Sequence, residues 1–298
     1  NKMADEVLDL EVARNKMKEW REEPPRNSEE VIELGESLIV EHGSKLGDEL
    51  WSVYEQVLIA ALDFGKTDLA SMCLKALSSQ FPGSLRVKRL IAMKHEALNQ
   101  FEKATEMYDD MIAKEPSNSI PYKRKISILI GQNKIADAVK SLTDYLKRFM
   151  SDHEAWSELA DLYISQQEFS KAAFCLEELI MSNPHNHLFY QKYAEILYTI
   201  GGVDNLEKSR SNFAQALRLD KNNMRALYGF FMAASNLANM PKTKNKKENA
   251  KYASWAASKI VEKYQAANKS DERDDSRISS IENLFDCLQL TAPNNVPQ

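Results

Sequence analysis

Apolar residues along this chain recur every three or four positions between short polar stretches, which is the pattern of amphipathic α-helices. The clearest stretch is residues 153–184. Trp156, Leu159 and Tyr163 lie there at positions that share one face of a first helix, so this face must be buried. Ala172 follows on a second helix, where a methyl group lets two helices approach closely. The stretch therefore predicts two packed helices that cannot cover their own apolar face.

The same marks recur with a period of 34 residues, which is the period of the tetratricopeptide repeat. Stepping back from Ala172 reaches an alanine three times. Stepping back from Pro184, which cannot continue a helix, reaches Met150 and then two prolines. The predicted repeat core consists of Ala70, Ala104, Ala138, Trp156, Leu159, Tyr163, Ala172, Pro82, Pro116 and Pro184.

This periodicity predicts an all-α fold, a tetratricopeptide-repeat α-solenoid of about six to seven helical hairpins wound into a curved superhelix. The expected domains are a degenerate N-terminal helical pair at 1–50, the solenoid at 51–267, and a polar link with a C-terminal amphipathic helix at 268–298. The repeat units are expected near 51–84, 85–118, 119–152, 153–186, 187–223 and 224–267. The candidate apolar anchors of the N-terminal pair are Val7, Leu8, Val12 and Trp20.

Two regions depart from the regular repeat. About three extra residues are expected in the hairpin turn at Gly201 and Gly202, because Phe213 and Ala216 regain the repeat spacing only with such an insertion. Residues 241–251 read PKTKNKKENAK and are expected to form a basic loop before a last helix. We interpret this loop as a solvated insertion, with contact to phosphates or to an acidic partner as the alternative.

The composition argues against several classes of function. The 298 residues are 43% hydrophobic and 28% charged, as expected of a soluble folded protein. Only 9 glycines leave little material for the glycine-rich loops of nucleotide-binding enzymes. The net charge of −5 gives no global reason to bind nucleic acid or an anionic membrane. The absence of a long apolar run and the 3 widely spaced cysteines predict a cytosolic protein without a disulfide framework.

No catalytic, metal-binding or cofactor-binding site is expected. The sequence contains no H-E-x-x-H, C-x-x-C, G-x-S-x-G or G-x-x-x-x-G-K-[ST] motif. His185 and His187 form the only close histidine pair, but histidines two positions apart in a turn usually point away from each other. Cys73 and Cys175 are interpreted as small buried residues of second helices. The acidic residues are spread along solvated helix faces.

A partner-binding surface is the remaining candidate site. First-helix residues that do not join the packing between repeats are expected to line the concave side of the solenoid. Their mixed polarity suits a protein segment better than a small molecule. The candidate surface consists of Arg86, Arg89, Met93, Lys123, Ser127, Asp161, Gln191, Glu195 and Tyr198.

A peptide-binding adaptor or co-chaperone is the alternative function. Many tetratricopeptide proteins of that kind grip the C-terminal carboxylates of heat-shock chaperones with a lysine and asparagines at fixed first-helix positions. No asparagine clamp is present here, which disfavours this alternative. The ninth repeat position reads Ile59, Met93, Ser127, Asp161 and Glu195.

Several stretches resemble one family more closely than they resemble the generic repeat. They are RVKRL at 86–90, KAAFCLEEL at 171–179, NPHNHLFYQKYAE at 183–195, FAQALRL at 213–219 and KYASWAAS at 251–258. Together with the order of elements, these stretches resemble subunit 2 of the endoplasmic reticulum membrane protein complex. The resemblance implies a non-catalytic scaffold of a membrane protein insertase, peripheral on the cytoplasmic face of the endoplasmic reticulum membrane. The implied partners are the cytosolic parts of membrane-embedded subunits and a soluble subunit 8 or 9, without a cofactor or nucleic acid.

Overall fold

The structure is a computed structural model that describes residues 2–22, 27–241 and 243–267, together with Ser280, Asn283 and Phe285. The regular elements in these ranges are α-helices, apart from a 3-10 turn at Gly43–Lys45. This confirms the predicted all-α fold class. The helices are α1 (Lys2–Glu22), α2 (Ser28–His42), α3 (Glu49–Phe64), α4 (Thr67–Gln80), α5 (Leu85–Ala97), α6 (Phe101–Lys114), α7 (Ser119–Gly131), α8 (Ile135–Arg148), α9 (His153–Ser165), α10 (Phe169–Ser182), α11 (His187–Ile200), α12 (Val203–Leu219), α13 (Met224–Asn239) and α14 (Lys246–Ala267).

Helix starts follow the repeat period. Helices α5, α7, α9 and α11 begin at residues 85, 119, 153 and 187, so each first helix begins 34 residues after the previous one. Helices α4, α6, α8, α10 and α12 begin at residues 67, 101, 135, 169 and 203, which is the same interval. The tetratricopeptide pattern therefore places the starts of the helices from α4 to α12.

Some predictions lie outside the described residues. They are the link and C-terminal helix at 268–298, apart from the three positions named above, and the side chains of Val7 and Leu8. Lys242 of the basic loop lies outside them as well. Elsewhere the loop prediction is wrong in length, because α14 already begins at Lys246. Asn249 explains this start, since it is 1% exposed and its amide donates to the carbonyl oxygen of Asn245 at 3.0 Å.

The repeat alanines are buried as predicted. Ala104, Ala138 and Ala172 are 0% exposed and Ala70 is 1% exposed. Ala104 packs with Ala92, Tyr108, Met111 and Ile128, which come from α5, α6 and α7. At such a position a larger side chain would collide with the neighbouring helix. Leu159, another predicted core residue, is 3% exposed.

Other members of the predicted repeat core do not lie in the core. Pro82, Pro116 and Pro184 are exposed in turns, where each follows a residue with a non-helical ψ of 67° to 80° and prevents the helix from continuing. Trp156 and Tyr163 are half-buried. The indole N–H of Trp156 donates to the carbonyl oxygen of Met150 at 2.9 Å, so this ring lies at the edge of the packing and reaches the preceding turn.

The chain divides into two compact units, and the first comprises residues 1–134 with helices α1 to α7. Its largest apolar cluster joins α1 to α5 and includes Met17, Val57 and Leu90, each at most 1% exposed. Gly35 permits the close approach of α2 to α3, because a Cβ there would lie 2.1 Å from Cγ2 of Val57. A small residue thus allows close helix packing near the N-terminus, as the buried alanines do within the repeats.

The second unit comprises residues 135–298 with helices α8 to α14. One apolar cluster joins α11 to α14 around Phe213 and Phe231, which are 2% and 1% exposed. Gly229 lets α13 lie against α12, since a Cβ there would lie 2.3 Å from the Phe213 ring. Phe285 completes this cluster with its ring centroid 4.6 Å from that of Phe231.

The irregular repeat at residues 187–223 differs from the prediction. Helix α12 begins at Val203, on the regular period, so the extra residues do not enter the hairpin turn. They lengthen the helix itself, because α12 has 17 residues and α10 has 14. Gly201 and Gly202 have φ of 77° and 84°. The two glycines thus make a left-handed turn that needs no insertion.

A left-handed residue recurs in the turns between first and second helices. Gly65, Asn99, Asn133, Gln167 and Gly201 have φ of 83°, 58°, 58°, 60° and 77°, and they are 34 residues apart. Glycine adopts this conformation at no steric cost, and asparagine tolerates it. Gln167 does not share either property, so its backbone is strained by roughly 1–2 kcal/mol. Backbone hydrogen bonds hold the turn, since the N–H groups of Gln167 and Glu168 donate to the carbonyl oxygens of Ile164 and Tyr163, each at 2.9 Å.

Replacing Ala104 by Leu should destabilise the first unit by about 1–3 kcal/mol, because the added methyl groups overpack the cluster of α5, α6 and α7. Ala113→Leu in the same helix is the matched control, since Ala113 is exposed and its replacement should change the unfolding free energy by under about 0.5 kcal/mol. Urea denaturation of both variants measures the difference. Equal effects would contradict the close crossing at Ala104.

Replacing Gln167 by Gly should stabilise the chain by about 0.5–1 kcal/mol, because glycine removes the strain and only part of the gain is lost to unfolded-state entropy. Gln166→Gly is the control, as Gln166 has φ −92° and gains nothing from glycine. That variant should lose about 0.5–1 kcal/mol. Opposite signs in thermal denaturation are the expected result, and a loss in both variants would show that Gln167 is not strained.

Candidate partner-binding surface

The nine predicted surface residues all lie on first helices. In the first unit, α5 carries Arg86, Arg89 and Met93, and α7 carries Lys123 and Ser127. In the second unit, α9 carries Asp161, and α11 carries Gln191, Glu195 and Tyr198. We call these nine residues the first-helix surface and describe each unit separately.

Glu55 of α3 is the main partner of the first-helix surface in the first unit. Its side chain is 12% exposed, forms an ion pair with Arg86 whose Nη2 lies 2.5 Å from Oε2, and accepts a hydrogen bond from Nη2 of Arg89 at 2.9 Å. The Arg86 side chain is 68% exposed, whereas that of Arg89 is 25% exposed. Two guanidinium groups thus offset the burial of one carboxylate. Both arginines consequently stabilise the contact between consecutive repeats.

Glu96 joins three helices of the first unit. Its carboxylate accepts from the hydroxyl of Tyr108 on α6 and from Nη1 of Arg124 on α7, the latter at 3.2 Å. Burial raises the pKa of Glu96 above the ordinary glutamate range, and the Tyr108 and Arg124 contacts oppose that rise without cancelling it. Burial, with Glu96 beside it, also raises the pKa of Tyr108. Sequence inspection missed Glu96 because no motif marks it.

Ion pairs also link consecutive first helices in the second unit. Nζ of Lys192 lies 2.6 Å from Oδ1 of Asp161. Arg225 of α13 donates from Nε and Nη2 to the two carboxylate oxygens of Glu195, at 2.6 Å and 2.9 Å. The bidentate geometry holds α13 against α11 in one orientation. Both acidic residues of the predicted surface are therefore neutralised within the chain.

Asn223 organises a polar cluster where α11, α12 and α13 meet. Its amide nitrogen donates to Oε1 of Gln191 at 2.8 Å and to Nδ1 of His187 at 2.9 Å. Its amide oxygen accepts from the backbone N–H of Ala226 at 2.9 Å and so caps α13. One side chain thereby fixes the start of a helix and its distance from the preceding repeat.

The structure changes the predicted role of several surface residues. Met93 and Gln191 are each 9% exposed, so neither presents a free surface, and Met93 belongs to the apolar core. The hydroxyl of Tyr198 accepts from Nδ2 of Asn236 at 2.6 Å. Ser127 is exposed and Lys123 is half-buried. Most of the first-helix surface is engaged in contacts between repeats, and its binding of a partner stays a prediction.

The described residues contain no group of three or more His, Cys, Asp and Glu side chains that could hold a metal ion. Cys73 and Cys175 are buried as predicted, and burial raises the pKa of each thiol to about 11. At neutral pH both therefore stay protonated and weakly nucleophilic. Cys287 lies outside the described residues. No helix in the described ranges combines the length and apolar character needed to cross a membrane.

Comparison with known proteins identifies the family. A family model described as the EMC2 TPR-like repeat domain matches residues 69–218. The chain is 50% identical over 280 residues to ER membrane protein complex subunit 2-A of Xenopus laevis, covering 93% of this chain and 94% of that protein. The chain belongs to the family of ER membrane protein complex subunit 2. This confirms the resemblance seen in the sequence.

More distant matches agree with this assignment. ER membrane protein complex subunit 2 of Dictyostelium discoideum is 31% identical over 274 residues, which cover 87% of this chain and 85% of that protein. The C-terminal part of a tetratricopeptide-repeat protein from Cytophaga hutchinsonii superposes with a TM-score of 0.55 at 14% identity, covering 90% of this chain and 98% of that one. At that identity the superposition supports the tetratricopeptide fold alone.

Glu96→Gln should change how stability depends on pH. Because the Glu96 pKa is raised in the folded state, the folded chain binds a proton more readily than the unfolded chain, so its stability falls as the pH rises from the ordinary value of 4.5 through the raised pKa. The glutamine variant lacks this titration. We expect the unfolding free energy of the unaltered chain, relative to the variant, to decrease over that range in urea titrations.

Glu106→Gln is the control for Glu96→Gln, since it removes an exposed carboxylate from α6. A relative stability that increases with pH for Glu96 would mean that its pairing with Arg124 outweighs burial. That result would contradict the cause assigned to the pKa shift.

Proposed function

We propose that this chain is a non-catalytic scaffold subunit of the endoplasmic reticulum membrane protein complex and acts on the cytoplasmic face of that membrane. In this proposal it holds the cytosolic parts of membrane-embedded subunits together with a soluble subunit 8 or 9, within an assembly that inserts membrane proteins. The observation that carries the proposal is 50% identity over 93% of the chain to a protein named as a subunit of this complex.

The chemistry of the ionisable groups supports a structural role. Glu55, Glu96 and Glu195 are carboxylates of first helices, and each contacts an arginine of the next repeat. Their charges thereby stabilise the stacking of helices. Repeat proteins that are held together by contacts between neighbouring repeats commonly offer binding surface to several partners.

The alternative function, a co-chaperone that binds C-terminal carboxylates, is less compatible with the geometry. At the positions where such proteins use asparagine, Met93 is buried in the core and Asp161 and Glu195 are acidic. Acidic side chains repel a peptide carboxylate, and the cations near them are already paired. These contacts favour the scaffold.

The test is affinity purification of the tagged full-length chain from detergent-extracted cells that lack their own copy of this subunit. We expect the membrane-embedded subunits and the soluble subunit to be recovered with it in constant ratio, because a scaffold binds them simultaneously. Quantitative mass spectrometry measures the ratio. Recovery of the chain only as a free monomer would overturn the proposal.

A further inference from the structure

A groove in the second unit combines an apolar floor with a basic rim. It lies between α12, α13 and α14 and has a volume of about 860 Å³. Its floor includes Leu227 and Phe230, which are 2% and 6% exposed. Trp255 stands at its side with 49% exposure, and its ring contacts Phe230 edge to face with the centroids 5.9 Å apart. We call this feature the basic groove.

The apolar part of the basic groove is suited to receiving a side chain. Tryptophan is usually highly buried, so a half-exposed Trp255 beside a recess leaves a large apolar area in contact with water. Tyr252 packs on the other side of Phe230 with a centroid distance of 6.0 Å, and Arg210 lies over the Tyr252 ring at 5.2 Å. The aromatic groups are thus held in place before any partner binds. Such pre-organisation lowers the entropic cost of binding.

The rim of the basic groove carries a marked excess of positive charge. Five cations line it and Glu262 is the single carboxylate among its lining residues. Lys259 is paired with Glu262, and Nζ of Lys263 donates to Oδ1 of Asn222 at 3.0 Å. Arg218, Lys221 and Lys251 have no ion-pair partner in the described part of the chain. These three exposed cations surround an apolar recess on a chain whose net charge is −5.

We propose that the basic groove docks an acidic amphipathic segment of a protein partner. One or two apolar side chains of the segment enter the recess between Phe230 and Trp255. Aspartate or glutamate side chains beside them pair with Arg218, Lys221 and Lys251. Mixed recognition of this kind, with a helical apolar face in a groove and flanking charges at the rim, is a common mode of peptide binding.

A membrane surface fits the basic groove less well than a peptide does. Leu227 and Phe230 are recessed, and a layer of lipid headgroups cannot fill a concave volume of about 860 Å³. A helical peptide segment can fill this volume with its protruding side chains. The proposal stands independently of the scaffold function, because it concerns the purified chain and one of its surfaces.

The test measures fluorescence anisotropy of a labelled amphipathic peptide of about 16 residues, with Phe and Leu at helical spacing and Glu at the other positions. A matched peptide carries Gln in place of every Glu. We expect the purified full-length chain to bind the acidic peptide, with an affinity that falls as salt rises, and to bind the Gln peptide at least about tenfold more weakly.

Variants of the basic groove test its apolar recess and its basic rim separately. Trp255→Ala should weaken binding of the acidic peptide about 30-fold, the scale of a central aromatic contact. The double variant Arg218→Glu with Lys251→Glu changes only exposed side chains, so it should fold normally and lose at least about tenfold in affinity. Lys208→Glu, an exposed residue of α12 outside the groove lining, is the charge-matched control and should bind as the unaltered chain does.

Three outcomes would overturn the proposal. The first is equal binding of the acidic and Gln peptides. The second is binding to phosphatidylserine vesicles, lost in the double variant, without binding of the acidic peptide. The third is concentration-dependent self-association that the double variant abolishes, since a second copy would then occupy the groove. Failure of the purification experiment with intact peptide binding would count against the scaffold function alone.

Discussion

Every helical hairpin in this chain has more apolar surface than it can bury by itself, and covering that surface with the next hairpin is the constraint on which the structure depends. Buried alanines at residues 70, 104, 138 and 172 meet it by allowing close helix crossings. Gly35 and Gly229 also allow close helix crossings, at positions outside the 34-residue spacing of the alanines. Because each crossing involves neighbours in sequence, the constraint is satisfied locally and repeatedly.

A second layer of contacts fixes the geometry that apolar packing leaves open. Ion pairs such as Glu55 with Arg89 and Glu195 with Arg225 join residues about one repeat apart. Ion pairs at or near the surface add little stability, typically under about 1 kcal/mol each. Their bidentate or partly buried geometry instead selects one orientation of a helix against its neighbour. Charged first-helix residues therefore serve the repeat itself, even where they look like a binding surface.

The basic groove contains cations that do not take part in such ion pairs within the described chain. Arg218, Lys221 and Lys251 surround an aromatic recess beside Trp255, and no carboxylate of the described chain neutralises these three. Arg225 differs from these three cations because it is paired with both carboxylate oxygens of Glu195. Arg225 therefore stabilises the helix packing, whereas the three cations of the groove are available to a partner. Family membership and the basic groove concern different levels of function, since the first points to an assembly and the second to the docking of one acidic segment.

The amino-acid sequence by itself determined the fold class, the period and the family, because the burial of Ala172 and Leu159 follows from local spacing and recurs with each repeat. It did not determine which first-helix residues are accessible. Met93 proved to be buried, and Glu96 and Asn223 proved to be junctions between helices. The early start of α14 likewise depended on a tertiary contact, since the buried Asn249 side chain accepts from Arg210 of α12. Only the tertiary structure decides such matters, because ion pairs and recesses bring together residues of different helices, whereas helical periodicity is a local property of the sequence.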